Sequence, residues 1–114
     1  MIYPATEQYI DLACNALQNG EVIVYPTDTL YGFGVDATNT DAIQRLNRLK
    51  DRVQPLSIIL DSIEKIEQYA KFITPIKNEI DKLLPGQYTV LLPAKDHNLS
   101  SLVQNGSSKI GIRI

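Results

Sequence analysis

The sequence predicts an α/β fold, a sheet packed by helices, and three observations predict it. Short apolar runs rich in Val, Ile and Leu alternate along the chain with stretches whose apolar residues recur every three or four positions. Pro, Gly or a polar cluster closes each of them, which is how strands and helices are punctuated. Neither an internal repeat nor a linker interrupts the alternation, so the 114 residues are expected to form one domain, 1–114. The order of the strands cannot be read from the pattern.

Taken in order, "TEQYIDLACNALQNG" places Ile10, Ala13, Cys14 and Leu17 at i, i+3, i+4 and i+7, with Thr6 as the expected N-cap and Gly20 as the stop. "EVIVY" is a short strand, and a further one is expected from Gly34 to Ala37. "NTDAIQRLNRLK" puts Ile43, Leu46 and Leu49 on one face behind an Asn39 or Thr40 cap, a second helix. "LSIIL" reads as a buried strand and "DSIEKIEQYA" as a third helix. In "TPIKNEIDKLL", Pro75 falls at a first helical position and "PG" follows the end, a fourth helix. "YTVLLPA" and "KIGIRI" are strands, joined by a polar, loop-like "KDHNLSSLVQNGSS".

Composition narrows the function classes. A hydrophobic fraction of 44% and a charged fraction of 21% are those of an ordinary globular protein. Eleven Lys and Arg against thirteen Asp and Glu give a net charge of −2, so any RNA contact must use a local patch. A single cysteine, Cys14, cannot form an internal disulfide. The opening "MIYPATEQYI" lacks a basic leader, and no apolar run reaches the roughly 18 residues of a membrane helix, so the cytoplasm is the expected location.

Chemistry concentrates in "EVIVYPTDTLYGFGVDA". Pro26 lacks an N–H, so ladder pairing is expected to stop or meet an edge there. Thr27, Asp28 and Thr29 offer two hydroxyls and a carboxylate, and Gly32 and Gly34 permit positive φ or close backbone approach. That set suits a polar small molecule with both donors and acceptors. It equally suits a turn whose side chains satisfy their own backbone. Lys50 and Arg52 are expected at a helix C-terminus, where they either complement the dipole or clamp a phosphate. Arg113 alternates with Ile112 and Ile114, either on an exposed strand face or toward a ligand. His97 has no second His or Cys near it, which argues against zinc, and Cys14 lies on an apolar face without an adjacent base, a core position rather than a nucleophile. Asp28 and Asp36 define no acid/base pair.

The ordered blocks "VIVYPTDTLYGFGVDATNTDAI", "LKDR", "PLSIIL", "LPGQYTVLLPA" and "KIGIRI" resemble the N-terminal part of the YrdC family, whose best-understood members are threonylcarbamoyl-AMP synthases. The resemblance covers about the whole chain and implies a twisted mixed sheet flanked by helices, with a large concave surface. It implies an enzyme, a nucleotidyltransferase joining L-threonine, bicarbonate or CO2, and ATP into threonylcarbamoyl-adenylate and pyrophosphate, with Mg²⁺ expected. Partner proteins of that family then transfer the threonylcarbamoyl group to tRNA. By the same resemblance Thr27 and Arg113 would contact L-threonine, and Lys50, Arg52 and Lys109 would face the nucleotide. No catalytic side chain and no protein-held metal is implied.

Departures accompany the likeness. Only "VQ" separates Arg52 from "PLS", Ile59 stands where many members have histidine, and Gln87 replaces the second proline of a usual "PGP". The sequence ends at Ile114, ahead of the family's Ser-x-Asn motif, so these residues alone are expected to be a poor catalyst. Ile110, Ile112 and Ile114 are expected to lack cover, favouring self-association as a homodimer. The alternative is a non-catalytic member of the family that binds nucleotide, double-stranded RNA or tRNA.

Overall fold

A computed structural model describes residues 9–26, 31–51, 53–86 and 88–114. They divide into two compact units, one within Met1–Val53 and one within Gln54–Ile114. Among the described residues, no helix is long and apolar enough to cross a membrane.

The first unit contains α1 (Ile10–Gln18), β1 (Ile23–Pro26), β2 (Tyr31–Gly34) and α2 (Thr40–Lys50). α1 ends in a Schellman turn, in which Gly20 N–H donates to Leu17 O and Glu21 N–H to Ala16 O, with Gly20 at φ +78°. Thr6, the expected N-cap, lies outside the described residues; Tyr9 holds the cap position with no side-chain cap bond. The expected apolar stripe is not buried. Ile10 and Cys14 are exposed and Ala13 and Leu17 half-buried, because a helix packed beside a two-stranded ribbon has little to cover it. The core placement of Cys14 is therefore corrected.

β1 and β2 pair antiparallel, Val24 opposite Phe33 and Pro26 opposite Tyr31. The second strand thus begins at Tyr31 and ends at Gly34, where the sequence pattern expects a strand to begin. Pro26 closes β1, as its missing N–H requires. Among the described residues the glycines at positive φ are Gly20, Gly86 and Gly106, and Gly34 serves packing instead: a Cβ there would stand 2.8 Å from the Tyr25 ring.

α2 follows its sequence signals at both ends. Asn39 accepts from Ala42 N–H at 3.0 Å, and Asp51 turns the chain out in the left-handed conformation at φ 54°. Ala42, Ile43 and Leu46 are buried, each larger side chain contributing about 1.5–3 kcal/mol. Leu49 is exposed, and Asn47 takes the inward position beside Leu46. Asn47 Oδ1 is buried without a hydrogen-bond partner. An unsatisfied buried acceptor costs about 1–3 kcal/mol, so Asn47→Leu is expected to stabilise the chain by about that amount in urea unfolding. A loss of stability would contradict this account of Asn47. The loop and helix are also coupled at Gly20, where a Cβ would stand 2.8 Å from Asn39 Nδ2 and so press on the α2 cap. With the positive φ, Gly20→Ala is expected to cost about 1–3 kcal/mol. An unchanged melting temperature would refute it.

The second unit contains β3 (Ser57–Ile59), a 3₁₀ helix (Ile63–Gln68), α3 (Thr74–Leu83), β4 (Val90–Pro93) and β5 (Lys109–Arg113). Its sheet has the order β3-β5-β4, with β3 parallel and β4 antiparallel to the central β5. This is the mixed α/β arrangement expected. Ile58, Leu92, Ile110 and Ile112 share the covered face and are buried, so Ile110 and Ile112 do not lack cover. β3 is covered on one side only, Ile58 in and Ile59 out, rather than buried throughout.

"DSIEKIEQYA" forms a 3₁₀ helix, not an α-helix. Ile63, Ile66 and Tyr69 are spaced by three, which three residues per turn align on one side, and Ile66 is fully buried. Ala70 then bridges to Ala94, and Lys71 N–H donates to Pro93 O, tying the helix exit to the end of β4. On its outside Lys65 reaches Asp61 at 2.8 Å, and their hydrogen bond lowers the Asp61 pKa. Any stability from this exposed pair is present above the unfolded carboxylate pKa and fades as pH falls through the lowered one. α3 starts at Thr74 with Pro75 in its first turn and buries Ile80.

Candidate functional site

Alternation along β5 sends Lys109, Gly111 and Arg113 to the face opposite Ile110 and Ile112. Register brings Ser57 and Leu91 beside Gly111 and Ile59 beside Arg113. Thr89, one residue ahead of β4, accepts a hydrogen bond from Arg113 Nη1 at 3.1 Å. This face thus carries a guanidinium, two hydroxyls and two apolar side chains, Ile59 and Leu91, that are 53% and 67% exposed. An arginine fork beside hydroxyls and modest apolar surface suits a small carboxylate bearing an aliphatic group.

Lys109 opens β5, four residues from Arg113 and roughly 13 Å along the strand. The two cations share a face yet cannot hold one small anion together; they would bracket a larger ligand. The connector before Lys109 is ordered by its own side chains. Leu99 N–H donates to His97 Nδ1 at 3.2 Å, which places the His97 proton on Nε2, and Nε2 donates to Gln104 Oε1 at 2.7 Å. Gln104 Nε2 donates to Ser107 O, and Ser107 Oγ accepts from Lys109 N–H. His97 is therefore engaged in holding the approach to β5.

Lys50 is the last residue of α2, half-buried, with Arg48 in the same turn. It stands at the negative end of the helix dipole, where a cation is stabilised with or without a phosphate. Thr27 and Arg52, the other expected contacts, lie outside the described residues, as do Asp28, Thr29 and Gln87. Asp36 has a local role: it accepts from Thr38 N–H at 2.9 Å and from Thr38 Oγ1 at 2.7 Å.

Pattern reading of the sequence passes over Ser57, Thr89 and Gly111 as site residues. Their meeting depends on strand register, which joins residues 57, 89 and 111 from three separate segments. Only Arg113 carried a local signal, a charge alternating with isoleucines.

Comparison with known proteins places the chain in a family. The Sua5/YciO/YrdC family model, described as "Telomere recombination", matches residues 15–114. The threonylcarbamoyl-AMP synthase of Vibrio parahaemolyticus is 39% identical over 105 residues, covering 88% of this chain and 56% of that protein. That of Bacillus subtilis is 33% identical over 106 residues, covering 90% of this chain and 30% of its own length. Among solved structures, P. abyssi Sua5 complexed with L-threonine superposes with a TM-score of 0.85 at 28% identity, over 96% of this chain and 33% of Sua5. The chain thus spans about half the length, or less, of these relatives. Since the matched stretch contains every described strand together with α2 and α3, the chain belongs to the Sua5/YciO/YrdC family.

Proposed function

We propose that this chain provides the L-threonine and ATP contacts of a threonylcarbamoyl-AMP synthase acting in tRNA modification. The observation that carries the reading is the open face of β3-β5-β4, where Arg113 is hydrogen-bonded to Thr89 beside Ser57 and Gly111. The relatives named as threonylcarbamoyl-AMP synthases, and the neighbour solved with L-threonine, support it.

In this reading Arg113 holds the threonine carboxylate and Thr27 contacts the amino acid, while Lys50, Arg52 and Lys109 take the nucleotide. The threonine amine attacks CO2, forming an N–C bond and releasing a proton, to give a carbamate. A carbamate oxygen attacks the α-phosphorus of ATP as the bond to pyrophosphate breaks. No side chain is covalently changed. The protein's contribution is alignment and neutralisation of charge on the phosphates. Mg²⁺ would come with ATP's phosphates and would offset part of their charge; among the described residues no three of His, Cys, Asp or Glu stand together as a metal site. The product is an adenylate for a transfer protein that acts on tRNA.

Three titrations of the same sample, with L-threonine, L-threoninamide and a short RNA duplex, test the reading against the non-catalytic one. L-threonine is expected to bind and L-threoninamide, lacking the carboxylate, to bind much less. Tight binding of a short RNA duplex with no response to L-threonine would favour the RNA-binding alternative instead.

A further inference from the structure

We infer that Thr89 and Gly111 together preset the Arg113 guanidinium for its ligand, Thr89 acting as a positioning residue and Gly111 as the space that lets it do so. The inference rests on the threonine-binding reading above for its ligand, but its geometry is independent of that reading. A Cβ at position 111 would stand 3.3 Å from Thr89 Cγ2 and Leu91 Cδ2 and 3.0 Å from Ser57 Oγ. Side chains from both flanking strands therefore lean over the bare backbone of the central strand. Thr89 divides its two γ atoms between neighbours: the methyl rests toward Gly111 and the hydroxyl accepts from Arg113 Nη1 at 3.1 Å.

A β-branched side chain with one γ atom held against a surface has its other γ atom fixed as well, because both turn on the same χ1. Contact at Gly111 thus aims Oγ1 at Arg113. Long arginine side chains carry a large rotamer entropy, and fixing one N–H beforehand reduces what binding must still order. Any larger residue at 111 would push Thr89 outward and lengthen its hydrogen bond to Arg113.

Two variants separate this role from simple packing. Thr89→Val keeps the methyl and the shape but loses the acceptor; Thr89→Ser keeps the acceptor. Thr89 is exposed, so neither variant is expected to change the melting temperature. Nitrogen-15 NMR of the Arg113 side chain is expected to show guanidinium rotation slowest in the parent, intermediate in Thr89→Ser, which lacks the methyl that aims the hydroxyl, and fastest in Thr89→Val. L-threonine affinity by calorimetry is expected to fall about tenfold in Thr89→Val and by less in Thr89→Ser, which keeps the acceptor but not the methyl that aims it. Equal affinity of Thr89→Val and parent, or an equal loss in Thr89→Ser, overturns the inference. If the parent chain itself fails to bind L-threonine, the functional reading fails, and the NMR comparison decides alone: unchanged Arg113 rotation in Thr89→Val overturns the positioning role.

Discussion

Replacing Lys50 and Arg52 together by alanine is expected to abolish ATP binding while leaving the fold intact. Each well-formed charge-assisted hydrogen bond to a phosphate is worth about 1.5–3 kcal/mol, so losing two removes at least about a hundredfold in affinity. Stability should change far less. Lys50 sits at the end of α2, beyond the buried Ala42, Ile43 and Leu46 that hold the helix in place. A cation in that last turn contributes about 0.3–1 kcal/mol through the dipole. Titration with ATP and urea unfolding of the same double variant separate the two roles. Unchanged ATP affinity with a small stability loss would leave helix capping as the sufficient account of both residues.

Arg113→Ala is expected to weaken L-threonine binding by about 1.5–3 kcal/mol, roughly 10- to 150-fold. The strand should survive the change, since Ile110, Gly111 and Ile112 supply its burial and Arg113 is its half-buried last residue. Thr89 would lose its donor but remains exposed to water, which can replace it. Calorimetry on the folded variant checks the expectation, and unchanged threonine affinity would refute the carboxylate role.

Local chemistry made α2 legible from its sequence: an Asn cap, a three-four apolar period and cations in the last turn all act within one element. Pro75 and Gly20 were legible for the same reason, each fixing the backbone at its own position. What the sequence concealed was set by partners distant along the chain. "DSIEKIEQYA" has an apolar spacing open to an α or a 3₁₀ helix, and its exit bonds to the β4 end accompany the tighter form. Cys14 and Ile10 lie on a stripe that reads as core, but a stripe records only which residues face together, not what stands opposite. Arg113 was legible as a charge on a strand. Its neighbours Thr89, Ser57 and Gly111 were not, because a shift of one residue in register would have turned each to the other face.

The central claim, that this chain serves adenylate formation on threonine, is tested most directly by pyrophosphate release from ATP, measured with and without L-threonine and bicarbonate. Slow release that requires both is expected, lost in Arg113→Ala and in the Lys50/Arg52 double alanine variant. Release that ignores threonine, or a chain that binds neither threonine nor ATP, would contradict it.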